Sequence, residues 1–194
     1  MNAKTEQKAR SRAAILDASA RLLRERGIVG AKVADVMAGA GLTVGGFYAH
    51  FASKEALVDQ TLADTARHMR DRLFSKLEAK PEADRAEVVV KRYLTTANRD
   101  DVQDGCPFPA VAGEIATTAP EHGEALAAQV EAMAEGLRKL LPERPGISGK
   151  HLALGLTAMM VGGLTLARAT RGTELSDELL RACRAMGRVA LGRT

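Results

Sequence analysis

The sequence predicts an all-α protein of about nine helices. Hydrophobic residues make up 46% of the 194 residues, and aromatic residues only 3%. Alanine and leucine, both good helix formers, carry much of this apolar content. Runs of β-branched residues are nearly absent, and the longest, Val88-Val89-Val90, lies within a helical pattern. These observations favour helices packed on helices rather than a β-sheet.

The first three predicted helices are short. The first covers residues 13–26, where apolar side chains recur on one face, and Gly27 stands where helices usually end. The second covers residues 32–40 and is ended by Gly41. The third runs from Thr43, whose hydroxyl can cap it, to residue 51.

The later predicted helices are longer. A fourth helix begins after Ser53, which caps it, and runs to Lys80, where Pro81 ends it. Five more helical patterns follow, separated by segments rich in turn-forming residues. They cover residues 83–101, 107–118, 121–141, 148–171 and 176–191.

Positive charge is concentrated at the N-terminal end. Residues 1–51 hold eight basic and four acidic residues, which accounts for the whole formal net charge of +4. A basic end on a neutral body is the pattern expected where one end of a protein meets a polyanion such as nucleic acid. A solvated N-terminal arm would give the same distribution, so charge alone leaves both interpretations open.

Composition argues against secretion and membrane insertion. The first ten residues, MNAKTEQKAR, are polar and lack the apolar region of a signal peptide. A membrane-spanning helix needs about 20 residues, and the uncharged segment 152–167 is shorter than that. The segment also contains three glycines. Two cysteines provide neither a disulfide framework nor metal-ligand spacing. We therefore expect a cytoplasmic protein without a membrane, metal or cofactor partner.

Residues 33–51 have the pattern of a helix-turn-helix: short helix, glycine turn, short helix. Gly41 permits the left-handed backbone of a tight turn, and Leu42 and Phe47 are predicted to face a small core. The second helix is then free to lie in a DNA major groove. Tyr48 is predicted to point outward, where its hydroxyl can reach a phosphate. The alternative is that Tyr48 is a second core aromatic.

The run from Val36 to Leu57, VMAGAGLTVGGFYAHFASKEAL, resembles the DNA-binding signature of the tetracycline-repressor (TetR) family. The glycine turn, the aromatic pair followed by histidine and phenylalanine, and the Ser-Lys-Glu-x-Leu segment all fall at the family's spacing. The resemblance covers about residues 10–57. It implies a homodimeric repressor that leaves operator DNA when a ligand enters the C-terminal domain. We accordingly expect a DNA-binding domain over residues 1–53 and a ligand-sensing, dimerising domain over residues 54–194.

The resemblance also implies which residues contact double-stranded operator DNA. His50 and Lys54 are expected on phosphates, and Lys54 stands at a helix N-terminus, which favours anions. Lys32 stands where the family usually has threonine, so it would bind phosphate as a point charge. Because two glycines leave little side chain for base reading, specificity would depend on the other contacts or on DNA shape. The complete expected set is Lys32, Thr43, Val44, Gly45, Gly46, Tyr48, His50 and Lys54.

The last two predicted helices are rich in small residues, which allow helices to approach closely. Packing within one chain would explain these residues. We expect instead a four-helix dimer interface, because two-fold symmetry suits a palindromic operator and because the resemblance implies it. Gly162 and Gly163 are the expected points of close approach.

The expected ligand is a small apolar or electrophilic molecule. Six residues are candidates to line its cavity, although residues at helical spacing also form ordinary core: Phe74, Tyr93, Cys106, Phe108, Met133 and Met159. Since Pro107 favours the first position of a helix, Cys106 is predicted at the helix cap, where the dipole lowers a thiol pKa and nearby aspartates oppose this. A packed, inert cysteine and a thiol that senses oxidants or electrophiles both stay open.

Rival functions find less support in the sequence. The four histidines show no metal-binding spacing, and no phosphate-binding glycine loop or paired-carboxylate motif stands out, so we expect no enzyme activity. The enzyme alternative would use Cys106 with His122. An architectural DNA-binding protein would not need a neutral body of this size. An activator, or a regulator without a ligand, stays open.

Overall fold

The computed structural model describes residues 3–101, 104–142 and 145–193. Those residues contain nine α-helices, four short 3₁₀ helices and no strand, and the all-α prediction is confirmed. The α-helices are α1 (Ala3–Gly30), α2 (Val33–Gly39), α3 (Lys54–Phe74), α4 (Arg85–Tyr93), α5 (Thr96–Asp100), α6 (Phe108–Thr117), α7 (Gly123–Arg138), α8 (Gly149–Ala169) and α9 (Glu174–Ala190). The 3₁₀ helices are Val44–Ala49, Leu77–Ala79, Glu82–Asp84 and Pro120–His122.

The chain divides into two compact units. The first comprises Met1–Ala66 and Val102–Leu126, and the second comprises Arg67–Asp101 and Ala127–Thr194. The functional boundary expected after residue 53 stays a prediction.

The first unit has one apolar core beneath the predicted helix-turn-helix. Ile15, Met37 and Phe47 are each at most 2% exposed, so α1, α2 and the 3₁₀ helix Val44–Ala49 all contribute to this core. Val111 and Ile115 of α6 belong to the same core. A helix distant in sequence therefore completes the packing of the N-terminal segment.

Helix α1 differs from the prediction at its start. It begins at Ala3 rather than at residue 13, because residues 3–10 are, apart from Thr5, good helix formers. All of them are exposed, so no apolar face marks this part of the helix. At its other end the prediction is confirmed in position: Gly27 leaves the helical conformation, with φ 70° and ψ −172°.

Helix α3 ends earlier than predicted. It ends at Phe74 rather than at Lys80, and Lys76 then adopts a left-handed conformation with φ 53°. The Arg92 guanidinium donates to the Leu73 and Ser75 carbonyl oxygens, each at 2.7 Å. These bonds satisfy carbonyl groups that a helix end leaves without partners, so the helix ends here without a local sequence signal.

The predicted helix 83–101 is two helices. The break falls at Leu94 and Thr95, where Leu94 has φ −87° and ψ 66°. The Thr95 hydroxyl accepts from the Asn98 backbone N–H and caps α5, and the Asn98 side chain donates to the Tyr93 carbonyl. Such side-chain bonds to the backbone compete with a continuous helix.

Small residues pack α8 against α9 within the second unit. A side chain at Gly163 would collide with Cys183, and one at Gly187 would press on Val90 and Met159. Gly163 is buried, whereas the neighbouring Gly162 is exposed and has no atom within 4 Å of a Cβ placed there. The expectation that both glycines serve a dimer interface is therefore wrong for Gly163, which packs within the chain.

Charged side chains connect α5 to the end of α8 and the start of α9. The Arg99 guanidinium donates to the Ser176 hydroxyl at 2.7 Å and to Asp177 at 2.5 Å. Its bonds to Asp100 and Asp177 raise the pKa of Arg99 above its usual range. Arg168 donates to the Asn98 carbonyl at 2.8 Å. The five-residue helix α5 is thus stabilised by hydrogen bonds to other helices as well as by its own backbone bonds.

One helix of the described residues, α8, is long and apolar enough to cross a membrane by length and composition. A core helix passes the same test, and eight residues of α8 are buried within the protein. The segment therefore does not by itself indicate a membrane span.

Candidate nucleic-acid interface

The turn of the helix-turn-helix has the predicted geometry. Gly41 has φ 69°, a conformation that favours glycine. The Gly41 N–H donates to the Ala38 carbonyl at 3.0 Å, and the Leu42 N–H donates to the Met37 carbonyl at 2.9 Å. These bonds end α2 and direct the chain into the following segment.

The segment after the turn is a 3₁₀ helix, Val44–Ala49, rather than an α-helix. It has six residues, two of which are the poor helix formers Gly45 and Gly46. Thr43 occupies the N-cap position, but its side chain makes no cap hydrogen bond, so the predicted Thr43 cap is wrong. The segment is instead fixed by the burial of Phe47.

Adjacent aromatic rings face opposite ways on this segment, which we call the recognition segment. Phe47 is 2% exposed and Tyr48 is 78% exposed. Phe51, in the same core, stacks on Phe47 with 5.9 Å between ring centroids. Tyr48 is therefore an outward-facing aromatic, as the helix-turn-helix pattern predicted.

The expected DNA-contact residues lie on or beside this surface. Lys32, Thr43, Val44, Gly45 and Tyr48 are exposed. Gly46, His50 and Lys54 are half-buried. Val44 keeps 52% of its surface exposed, so it offers an apolar side chain to a partner.

His50 is the C-cap of the recognition segment. Its Nδ1 atom is buried and has no hydrogen-bond partner among the described residues. A phosphate contact from His50 would therefore use Nε2.

Lys54 starts α3 and also supports α1. Its Nζ donates to the Ile28 carbonyl at 2.8 Å. The Ser53 hydroxyl accepts from the Ala56 N–H at 3.1 Å, which confirms the predicted cap. A hydrogen bond from Ser53 and one from its own backbone N–H hold the pKa of Glu55 below its usual value. The ammonium of Lys54 has two further N–H groups that a phosphate can accept from.

The expected ligand residues are distributed between the two units. In the second unit, Tyr93 and Met133 are at most 2% exposed, and Met159 is half-buried. Phe74 packs over Gly136, where an added Cβ would lie 2.9 Å from the ring. Phe74 also lines a cleft of about 550 Å³ whose other lining residues include charged side chains: Arg70, Asp71, Glu135 and Lys139.

Cys106 and Phe108 lie in the first unit and are fully buried, at 0% and 1% exposure. The prediction that Cys106 caps α6 is wrong, because Pro107 adopts a helical conformation and occupies the N-cap itself. The Arg24 guanidinium donates to the Gly105 carbonyl at 2.8 Å and anchors the chain just before Cys106. The second cysteine, Cys183, is half-buried, and burial raises the pKa of its thiol.

Comparisons with known proteins agree with this geometry. The family model "Bacterial regulatory proteins, tetR family" matches residues 15–61, which hold α1 after its exposed start, α2, the recognition segment and the beginning of α3. The HTH-type transcriptional repressor KstR2 of Rhodococcus jostii is 40% identical over 72 residues.

Residues 15–61 therefore match the DNA-binding segment of the TetR family.

Solved structures extend this TetR-family likeness to the whole fold. A TetR transcriptional regulator from Chloroflexus aurantiacus is 24% identical, with a TM-score of 0.77 over 97% of this chain and 98% of that one. The reduced form of NemR from E. coli is 20% identical, with a TM-score of 0.79 over 92% of this chain and 95% of that one. At these identities the likeness concerns the fold.

The match to KstR2 is local. It spans 37% of this chain and 33% of the Rhodococcus protein. The sequence likeness to that repressor is thus confined to about a third of its length.

Sequence reasoning missed residues that support the helix-turn-helix from distant parts of the chain. The Arg12 guanidinium lies 4.8 Å from the centre of the Phe51 ring. Glu114 of α6 accepts hydrogen bonds from the Ile28 and Val29 backbone. His122, which is 2% exposed, pairs with Asp59 at 2.7 Å. Only the folded chain brings these partners together, and no local motif marks them.

Among the described residues no group of three or more histidine, cysteine, aspartate or glutamate side chains has the arrangement of a metal site.

Proposed function

We propose that this chain is a TetR-family transcription repressor that binds operator DNA and leaves it when a small molecule binds the helical body. The recognition segment carries the proposal: an outward-facing Tyr48 and Val44 stand on a core fixed by Phe47. The major groove of B-DNA admits a helical segment, whose outward side chains then reach the base edges. KstR2 is a transcriptional repressor, which supports repression rather than activation here.

The basic N-terminal end supports the same partner. Exposed cations on α1 and at the start of α2 include Lys8, Arg10 and Lys32. Contacts of this kind to phosphates supply affinity and orientation, while side chains of the recognition segment would read bases or DNA shape. The proposed DNA contacts are the eight residues expected from the sequence: Lys32, Thr43, Val44, Gly45, Gly46, Tyr48, His50 and Lys54.

A homodimer through α8 and α9 completes the proposal. Along α8 the exposed residues Gly155, Ala158, Gly162 and Leu166 recur at helical spacing. Along α9 the exposed residues Leu175, Ala182, Met186 and Val189 do the same, and Met186 and Val189 are 60% and 66% exposed. Two apolar stripes on neighbouring helices support a self-complementary two-fold interface.

For the ligand we propose a small apolar molecule that binds without covalent reaction. Cys106 is fully buried and the pKa of Cys183 is raised by burial, which disfavours the reactive thiolate at Cys183. The thiol-sensing alternative is kept for a test, since NemR was described in a reduced form. We propose no enzyme activity, and we propose the cytoplasm, where operator DNA lies, as its location.

The test is a titration of the purified protein with labelled DNA from upstream of its own gene. We expect saturable binding that unlabelled upstream DNA displaces and unrelated DNA of the same length does not. Equal displacement by both competitors would contradict a specific regulator and would favour an architectural DNA-binding protein.

A further inference from the structure

Helix α1 is interrupted just before the helix-turn-helix, and a side chain from α6 repairs the interruption. At Gly27 the backbone leaves the helical conformation, so the next N–H groups lose their usual helical acceptors. One carboxylate oxygen, Oε2 of Glu114, accepts from the Ile28 N–H at 2.6 Å and from the Val29 N–H at 3.0 Å. The acceptor comes from 86 residues away in the sequence.

The carboxylate can lie here because residue 27 is a glycine. Gly27 has φ 70°, and a Cβ at this position would fall on the Glu114 carboxylate. From the other side, Lys54 donates to the Ile28 carbonyl at 2.8 Å. The turn Ile28–Gly30 is therefore held between an acid of α6 and a base of α3, all within the first unit.

This turn sets the direction in which α2 leaves α1. The Lys32 N–H donates to the Gly30 carbonyl at 3.1 Å, and Lys32 is the N-cap residue of α2. A change in the turn is therefore transmitted to the N-cap of α2, where the helix-turn-helix begins. The start of α6 is itself anchored to α1, because Arg24 donates to the Gly105 carbonyl.

We propose that Glu114 is a positioning residue for operator binding, an inference that rests on the proposed function. Its carboxylate fixes the turn that orients α2 and the recognition segment, although Glu114 itself contacts no DNA. When the acceptor is removed, the turn samples several conformations and only a fraction of molecules present a competent surface. Apparent affinity falls in proportion to that fraction.

Three variants separate this role from a general loss of stability. Glu114→Ala removes the acceptor, whereas Glu114→Gln keeps one amide oxygen, which is sufficient because both N–H groups converge on a single atom. Glu124→Ala is the matched control, since Glu124 is an exposed glutamate of the same unit. Operator affinity and amide hydrogen exchange are measured for each.

We expect Glu114→Ala to weaken operator binding by about tenfold, as for a turn that is competent in a tenth of molecules. Exchange at the Ile28 and Val29 amides should accelerate, while protection in α8 and α9 stays unchanged. Glu114→Gln should stay within about threefold of the wild type, since a neutral acceptor is weaker than a charged one but still accepts. Glu124→Ala should behave as the wild type.

The proposal is overturned if Glu114→Ala binds operator as the wild type does, if Glu114→Gln is as impaired as Glu114→Ala, or if exchange accelerates equally in α8 and α9. The exchange arm needs no DNA, so the hydrogen bonds are tested even if no upstream sequence binds. If the wild type binds no specific DNA, the proposed function is refuted. If the wild type binds operator and Glu114→Ala binds equally well, only the positioning role of Glu114 is refuted.

Discussion

The ring of Tyr48 stands edge-on to the ring of Phe47, with 5.2 Å between centroids and 79° between planes. Phe47 belongs to the buried core and Tyr48 is mostly exposed. Of two neighbouring aromatic residues, one thus packs in the core and the other is presented at the surface. The buried ring therefore supports the exposed one along one edge, and the rest of the Tyr48 side chain is open to a partner.

Tyr48→Ala is therefore expected to weaken operator binding by roughly 1–3 kcal/mol, as for a good contact, and to leave the melting temperature unchanged. Phe47→Ala is its counterpart and should destabilise the fold by about 3–5 kcal/mol. Anisotropy titration and thermal unfolding measure the two quantities. Unimpaired binding by Tyr48→Ala would show that the assigned recognition face is wrong.

Lys54→Ala should modestly reduce both the affinity for operator DNA and the stability of the fold. The ammonium supports the fold through the Ile28 carbonyl, a bond worth about 1 kcal/mol of stability, and it is also a proposed phosphate ligand. Loss of a phosphate contact weakens binding to all DNA sequences alike and lowers the salt dependence by about one unit of slope. An unchanged slope with lowered stability would remove Lys54 from the contact set.

The proposed dimer interface is tested by two adjacent glycines. Gly162→Arg places a charge on the exposed face of α8 and should yield a folded monomer with weaker operator binding. Gly163→Arg drives a side chain into Cys183 and should destabilise the protein itself. Sedimentation gives the mass, and circular dichroism reports folding. If the wild type is already a monomer at micromolar concentration, the interface proposal fails.

The sequence was most informative about features that depend only on residues close together in the chain. The Gly41 turn and the inward and outward aromatics lie within a few residues of each other, so local conformational preference and spacing predicted them. The Ser53 cap is equally local. The family resemblance rests on this same short stretch.

Features that depend on distant partners could not be predicted. Nothing near Gly27 indicates that Glu114 supplies the missing acceptor, and nothing near Phe74 indicates that Arg92 helps end α3. The small residues of α8 are compatible with packing within one chain as well as with the dimer interface that we expected. Only their burial separates Gly163, which packs on α9, from Gly162, which faces outward.

Salt dependence tests the basic start of α1. Residues 3–10 are helical and exposed throughout, and they lie outside the stretch that the family model covers. If Lys8 and Arg10 contact phosphates, each alanine substitution should reduce the slope of log K against log salt by about 0.9. Lys80→Ala, an exposed lysine of the second unit, is the control. Slopes equal to the wild type would mean that this arm is merely solvated.

Thiol chemistry is expected not to control operator binding. Cys106 has no exposed surface, so a reagent reaches it only when the first unit opens, and the raised pKa of Cys183 slows reaction there. Wild type and Cys106→Ser should therefore bind operator equally well before and after brief treatment with mild peroxide or a small electrophile. Mass spectrometry should find both thiols unmodified in the native protein, and labelling after unfolding is the control that shows the reagent to be active. Loss of DNA binding in the wild type alone would instead make Cys106 the trigger. If both proteins retain DNA binding after treatment, a non-covalent apolar ligand stays the proposal. By linkage, that ligand must lower the affinity for DNA by the same factor by which DNA lowers the affinity for the ligand.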